Sequence, residues 1–240
     1  MSAALLEVQA VSKVFGGLRA VDSVSFDVHP GEIVSIIGPN GAGKTTLFNL
    51  LTGQLHLTTG QIRFEQQDIG RVKPYRRARL GFGRTFQISQ TLPSMTALEN
   101  GMIGAFRRHR SVRAAEERAA ETLAMVGLEE HAHRRASELT LGQRRRLEVA
   151  RALAMSPQIV LLDEVMAGLN ETEIGEILGL VMKLNARGTT FLVIEHNLKV
   201  VRAFSRRVLV LDQGRLIAEG VAADVLNDPQ VVEAYLGKAE

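Results

Sequence analysis

The sequence predicts an α/β fold: a parallel sheet flanked by helices, with an antiparallel β patch ahead of it and a helical segment inserted into it. The parallel sheet follows from four short apolar runs, "IVSII" at 33–37, "IVLL" at 159–162, "FLVI" at 191–194 and "VLVL" at 208–211, each bounded by turn or charged residues. Strands buried on both faces read this way, because neither face is left for polar residues. The insert follows from residues 92–156, where helical spacing and helix-start signals recur without a strand-like run.

Along the chain each element has its own signature. Val24, Phe26 and Val28 alternate with polar neighbours, as do Ile62 and Phe64, which predicts antiparallel strands with one wet face. The run 33–37 leads through a glycine-rich turn into the apolar helix "LFNLLTG". In the insert, Thr96 and Glu99 have capping-box spacing, a helix starts near Val112, and Gly127 closes it. Thr140 and Gln143 form a second capping box, opening an Ala/Leu-rich helix that ends before Pro157. Leu147, Ala150, Leu153 and Ala154 mark its buried face. After 159–162, the residues Ile174, Ile177, Leu178, Val181 and Leu184 give an amphipathic helix that Gly188 stops. With no internal repeat or linker, 1–240 reads as a single domain. Residues 1–91 and 157–240 form its α/β core with the antiparallel subdomain, and 92–156 form the helical one.

Composition narrows the class. Hydrophobic content of 45% and charged content of 23% are those of a soluble globular protein. No apolar run approaches the roughly 18 residues a membrane span needs, and "MSAALLEVQAV" lacks the basic flank and long apolar stretch of a signal peptide. The absence of cysteine excludes disulfides, thiolate metal sites and a Cys nucleophile. Of 29 basic residues 23 are Arg, often adjacent, as at Arg76–Arg77, Arg107–Arg108, Arg134–Arg135, Arg144–Arg146 and Arg206–Arg207. The net charge is only +3 and no aromatic residues interleave the clusters, so they read as solvated helix faces and compositional bias rather than a nucleic-acid surface.

Three motifs carry chemistry. "GPNGAGKTT" (Gly38, Pro39, Asn40, Gly41, Ala42, Gly43, Lys44, Thr45, Thr46) sits between a buried strand and a helix, the setting in which a glycine-rich loop cradles phosphates. Its N–H groups and the helix dipole suit an anion; Lys44 would reach the terminal phosphates, Thr45 would ligate Mg²⁺ and Thr46 would bond the inner phosphate. "IVLLDE" ends a buried strand in Asp163 and Glu164, which alternation sends in opposite directions, so one should hold the metal and the other take a proton from water. Finally, Gly142 in the first turn of its helix strips side chain from a ring of unpaired N–H groups and makes an anion seat. His131 and His133 read as surface helix or loop residues rather than metal ligands.

The phosphate loop, Gln87 in "GRTFQ", "LTLGQ" at 139–143, "LLDE" and His196 in "VIEHN" stand in the order found in ATP-binding cassette (ABC) ATPases, spanning nearly the whole chain. The sequence therefore resembles that family, a P-loop NTPase class. "FGGLRAVDSVSF", "RTFQ", "AGLN" and "AEGVAADVLNDPQVVEAYLG" are similar to the ATPase subunits of branched-chain amino acid importers, whose relatives carry urea, amides or aromatic acids. The resemblance implies roles residue by residue. Phe15 stacks on adenine; Gln87 approaches Mg²⁺ and the attacking water and senses the membrane partner; Asp163 holds Mg²⁺ with Thr45. Glu164 is the general base and His196 contacts the γ-phosphate. Thr140, Leu141, Gly142 and Gln143 form the signature that acts in trans on the ATP of a second subunit.

Some positions depart from the common pattern. Thr140 and Leu141 replace the usual Ser and first Gly of the signature, Val165 stands where Pro follows the acidic pair, and Asn170 stands where many relatives have Asp. The expected activity is ATP hydrolysis with ATP and Mg²⁺, powering an importer from the cytoplasmic face of the inner membrane. The implied partners are transmembrane permease subunits docked on the helical arm, a second ATPase subunit and, indirectly, a periplasmic or extracellular solute-binding protein. No nucleic-acid partner is expected. The alternatives are a lipopolysaccharide-type exporter ATPase and a soluble ABC ATPase acting on nucleic acid or ribosomes. The second class usually has two cassettes or a long coiled coil, neither of which is present here.

Overall fold

The computed structural model describes residues 3–85 and 91–236. In chain order its elements are β1 (Leu6–Phe15), β2 (Leu18–Val28), β3 (Ile33–Ile37), α1 (Lys44–Leu51), β4 (Thr59–Phe64), β5 (Gln67–Asp68), α2 (Pro74–Leu80), β6 (Phe82–Arg84), α3 (Ala97–Ala105) and α4 (Val112–Met125). There follow α5 (Leu141–Ala154), β7 (Ile159–Asp163), α6 (Glu171–Asn185), β8 (Thr190–Ile194), α7 (Leu198–Phe204), β9 (Arg207–Asp212), β10 (Arg215–Val221), α8 (Ala222–Val225) and α9 (Pro229–Leu236). They fall into two compact units, Met1–Arg77 with Thr190–Glu240, and Ala78–Thr189.

The first unit holds two sheets. The antiparallel one has the order β2-β1-β4-β5, with Leu6 paired to Val28 on one side and to Phe64 on the other. Val24, Phe26, Val28, Ile62 and Phe64 are all buried in it, as their alternation requires. In the other sheet this unit's strands run β10-β9-β3-β8. β3 is parallel to β8, with Ile33 opposite Phe191, and to β9, with Ile36 opposite Leu209. Every residue of β3 and β8 is buried, which is why neither shows polar alternation. The polar exception in β3, Ser35, pairs its hydroxyl with that of Ser205 at 2.5 Å, so neither buried oxygen is left unsatisfied.

The second unit joins a parallel β6–β7 pair, with Phe82 opposite Ile159, to the helices α3, α4, α5 and α6. Ala105, Ala115 and Ala154, one from each of α3, α4 and α5, are fully buried together. Both expected capping boxes are present, Thr96 with Glu99 and Thr140 with Gln143, and Asn170 with Glu173 makes a third. Fully buried Asn100 accepts from the Leu92 N–H at 2.8 Å and donates to the Leu92 and Thr96 carbonyls, fastening the segment that leads into α3.

The arginine runs are more than solvated faces. Arg76 is exposed but Arg77 is 1% exposed, and its guanidinium donates to five carbonyls: Leu50, Leu51, Ile69, Gly70 and Val72. Leu50 and Leu51 end α1, so the cation satisfies carbonyls the helix itself leaves open and sits at the negative end of its dipole. Burial pushes the Arg77 group down to about 10, still charged at neutral pH. Arg107 and Arg118 do the same for α5, donating to the Met155 and Leu153 carbonyls. Arg77→Met should strand several buried carbonyls at once and lower stability by more than about 3 kcal/mol. Arg77→Lys should recover only part of this, because a compact ammonium cannot reach five acceptors spread around a planar fork. Urea midpoints of the three proteins measure the ordering; a Met variant within 1 kcal/mol of wild type (about the precision of the comparison) would assign the fastening to other contacts.

Candidate functional site

The phosphate loop leaves β3 at Gly38. A Cβ there would lie 2.0 Å from the Leu211 carbonyl oxygen, so only glycine lets the loop leave this close to β9. At the far end Gly43 has φ 99, and a Cβ would meet the Ala20 carbonyl oxygen at 2.3 Å, so the left-handed turn into α1 also needs glycine. Lys44 is buried, and its Nζ donates to the Gly38 oxygen at 2.6 Å and the Pro39 oxygen at 3.0 Å, curling the loop around the ammonium. The Ala42 N–H closes on the Pro39 carbonyl at 3.2 Å. Asn40, Gly41 and Thr45 are exposed, with Thr46 half-buried beside them. No side chain caps α1 and no acid stands in its first turn, so the helix itself carries no group that offsets its N-terminal dipole. A helix start of this kind with a lysine in its first turn has the chemistry to hold a polyphosphate.

Two further residues of the first unit come from the sequence reading. Phe15 ends β1 at a two-residue glycine hairpin and is 44% exposed, with the Lys13 Nζ 4.9 Å from its ring centroid. It is therefore not a core phenylalanine. His196 follows β8 and buried Glu195, is itself exposed, and precedes Asn197, whose side chain caps α7.

In the second unit β7 delivers Asp163, 2% exposed, and ends there. Its Oδ2 accepts from the Arg84 Nη2 at 2.8 Å, and its N–H donates to the Thr85 hydroxyl at 3.1 Å. Arg84 lies inside the "GRTFQ" motif but was not expected in this role; no local pattern links it to a carboxylate 79 positions later. Glu164 is half-buried with φ 49, a left-handed conformation that costs a non-glycine residue about 1–3 kcal/mol. Glu164 thus lies beyond the strand, which ends at Asp163, so strand alternation does not set its direction. Val165 is fully buried, and Asn170 serves as the N-cap of α6, accepting from the Glu173 N–H at 3.0 Å. Gln87 lies outside the described residues.

The signature opens α5. Thr140 and Leu141 are exposed, and Leu141 packs beside Gly168 in the "AGLN" turn. A Cβ on Gly142 would lie 2.5 Å from the Glu173 Oε1, so glycine here makes room for an internal carboxylate. The Gln143 side chain is committed at both ends: its oxygen accepts from the Thr140 N–H at 3.0 Å and its nitrogen meets the His131 Nε2 at 2.9 Å. His131 thus orients Gln143, a contact that adjacent positions in sequence do not signal. Among the described residues no group of three or more His, Cys, Asp or Glu is arranged to hold a metal.

The chain is similar to known proteins over most of its length. The ABC transporter family model matches residues 21–167, and a model for branched-chain amino acid ATP-binding cassette transporters matches 215–240. The high-affinity branched-chain amino acid transport ATP-binding protein LivG of Escherichia coli K12 is 42% identical over 257 residues, covering 100% of both chains. BraF of Pseudomonas aeruginosa, named likewise, is 41% identical over 255 residues with 100% of both covered. Among solved structures, an ATP-binding cassette of an ABC transporter in its ADP conformation superimposes with a TM-score of 0.90 at 36% identity, covering 99% of this chain and 100% of that one. A dimeric cassette in a post-hydrolysis state with ADP and Pi gives 0.81 at 29% identity, covering 90% of this chain and 98% of that one. With the ABC transporter model matching more than half of the chain and relatives 42% and 41% identical along all of it, the chain belongs to the ABC transporter family, as one of its ATP-binding cassettes.

Proposed function

We propose that this chain is the ATP-hydrolysing subunit of an importer for branched-chain amino acids or related small solutes such as urea, amides or aromatic acids. The observation that carries the hydrolytic reading is the glycine-rich loop, with Lys44 drawn into the curl and α1 opening without a side-chain cap or an acid in its first turn. The full-length similarity to branched-chain transport ATPases supports the solute class. In this reading Asn40, Gly41, Ala42, Gly43, Lys44, Thr45 and Thr46 grip the phosphates, Gly38 and Pro39 shape the loop, and Phe15 offers adenine the ring face away from Lys13. Glu164 takes the proton of the hydrolytic water, with Gln87 approaching that water and His196 touching the γ-phosphate. By their place in the family's motifs, Thr45, Asp163 and Gln87 would each offer Mg²⁺ an oxygen, the hard donor it takes alongside substrate phosphates rather than in an all-protein cage. When bound, Mg²⁺ offsets the charge that develops on those phosphates.

Phe15→Ala should weaken ATP binding by about ten-fold or more, from base–aromatic stacking of roughly 1–3 kcal/mol. Since the ring lies outside the core, the melting temperature should hardly move, and Phe15→Tyr should bind nearly as wild type. Titration with a fluorescent ATP analogue reads the affinity. An alanine variant that loses stability and keeps affinity would make the ring a packing group.

Among the described residues no helix is long and apolar enough to cross a membrane. In this reading the transport path belongs to separate permease subunits, as in a transporter whose ATP-binding subunit is a separate chain, and this chain is peripheral on the cytoplasmic face. The helical residues 92–156 are the proposed docking arm, and Ile103, Phe106 and Val112 expose apolar surface on it. The reading is tested by deleting the gene and measuring uptake of labelled leucine, valine and urea. Loss of branched-chain uptake, restored by wild type but not by Lys44→Ala, supports it; unchanged uptake of all three removes the proposed solute class.

A further inference from the structure

The last described helix reaches back to the start of the phosphate loop. α9 begins at Pro229, whose fixed φ suits a first helical position, and the Asp228 carboxylate accepts from the Gln230 N–H at 2.8 Å. Two residues at helical spacing, Val231 and Tyr235, turn inward. Val231 is 2% exposed and shares a buried cluster with Ile37, Val201 and Val210, and the Tyr235 ring packs on the same cluster. Ile37 is the residue before the loop, and Val201 lies in α7, just beyond His196. The Tyr235 Oη accepts the Gly38 N–H at 2.7 Å. Gly38 is thus pinned on two sides: its Cα lies against the Leu211 carbonyl and its N–H is held by a phenol 197 positions away. Burial pushes the Tyr235 phenol up, so the hydroxyl stays neutral at physiological pH.

We propose that the Tyr235 hydroxyl is a positioning group for nucleotide binding: by accepting the Gly38 N–H it holds the mouth of the phosphate loop in its receptive shape, so that α9 helps to set affinity. This rests on reading Gly38–Thr46 as the phosphate loop. The hydroxyl touches no phosphate in this reading and acts only through the loop. Without its acceptor, the Gly38 amide must find another partner, and the loop spends part of its time in shapes that do not fit phosphate. Apparent affinity then falls by the fraction of time the loop remains competent. ATP and ADP should lose equally, because both are gripped through the same loop.

The test is Tyr235→Phe in the full chain, which keeps the ring in its cluster and removes only the acceptor. Dissociation constants for ATP and ADP should both rise about three- to ten-fold, the range one neutral hydrogen bond supplies. Amide exchange at Gly38 should accelerate, and the melting temperature should stay within about 4 °C of wild type. Unchanged dissociation constants overturn the proposal. So does a weakening that comes only with a larger fall in melting temperature while Gly38 exchange is unaltered, since that would be lost packing. Lys44→Ala, measured in parallel, separates the two levels: if it binds ATP normally the phosphate-loop reading fails, whereas if it loses ATP and Tyr235→Phe does not, only the Tyr235 inference fails.

Discussion

Glu164→Gln is expected to lower the rate of ATP hydrolysis by about 10²- to 10⁴-fold, the contribution typical of a positioned general base, while ATP affinity stays near wild type. The substitution keeps the shape of the side chain and removes its ability to accept a proton. The structure gives a reason to look here rather than at Asp163. Asp163 is buried and its Oδ2 already accepts from Arg84, an arrangement that suits a fixed acceptor or metal ligand rather than a group that takes a proton from water. Glu164 sits one residue further in a left-handed turn, half-buried, where backbone strain re-aims a side chain that a continued strand would have sent elsewhere. Strain of this kind persists where the surrounding structure enforces it, here the fully buried β7 before it and buried Val165 after it. A chain that binds ATP but cannot cleave it should also accumulate as an ATP-bound dimer. Single-turnover hydrolysis and size exclusion with and without ATP measure the two effects. Near-normal turnover by Glu164→Gln would move the base to another residue.

Much of this site was legible in the sequence because its parts are local. The phosphate loop, the strand-end acidic pair and the two capping boxes each lie within nine residues, and local backbone rules dictate them. The strands 33–37, 159–162, 191–194 and 208–211 were found to within about one residue at either end, since strands buried on both faces can hold little but apolar side chains. What escaped was non-local or contrary to composition. Three-residue β6 is too short to show a period, and one of its three residues is glycine. Arg77 looked like half of a surface pair, because burying a guanidinium is costly unless enough acceptors converge, and convergence of five carbonyls is a property of the fold alone. The Arg84–Asp163 pair and the Tyr235–Gly38 bond join positions 79 and 197 apart, distances over which sequence spacing carries no signal. The same holds for Glu173 against Gly142: the glycine was read as room for an anion, and a carboxylate of the chain itself stands at its edge.

That carboxylate sharpens the second large effect, which decides whose phosphate the signature serves. Neither Lys44→Ala nor Gly142→Asp should hydrolyse ATP alone, yet a mixture of the two should. Gly142→Asp places its Cβ in contact with the Glu173 Oε1 and adds a second negative charge beside it, so the anion seat at the start of α5 becomes repulsive. The lesion is confined to α5 and α6, and the Gly38–Thr46 loop is untouched, so this variant should still bind ATP as a monomer. Lys44→Ala has the reverse defect, an intact signature and a loop without its cation. In a two-fold dimer whose signatures face the other chain's phosphates, a mixed pair has one site with both lesions and one with neither. If each signature served its own loop, every site would carry one lesion and mixing would restore nothing. Free exchange makes half the dimers mixed, each with one intact site, so independent sites would recover about one quarter of wild-type activity, and coupling between sites would lower that figure. The experiment is run where wild-type hydrolysis is second order in protein, the condition in which pairing of this chain with itself controls the rate. Recovered activity that rises and falls with the mixing ratio, highest near equal parts, is the signature of shared sites. Loss of ATP binding by monomeric Gly142→Asp, with no activity at any ratio, would return Gly142 to its own chain's nucleotide and leave the Thr140–Gln143 turn without a role in trans.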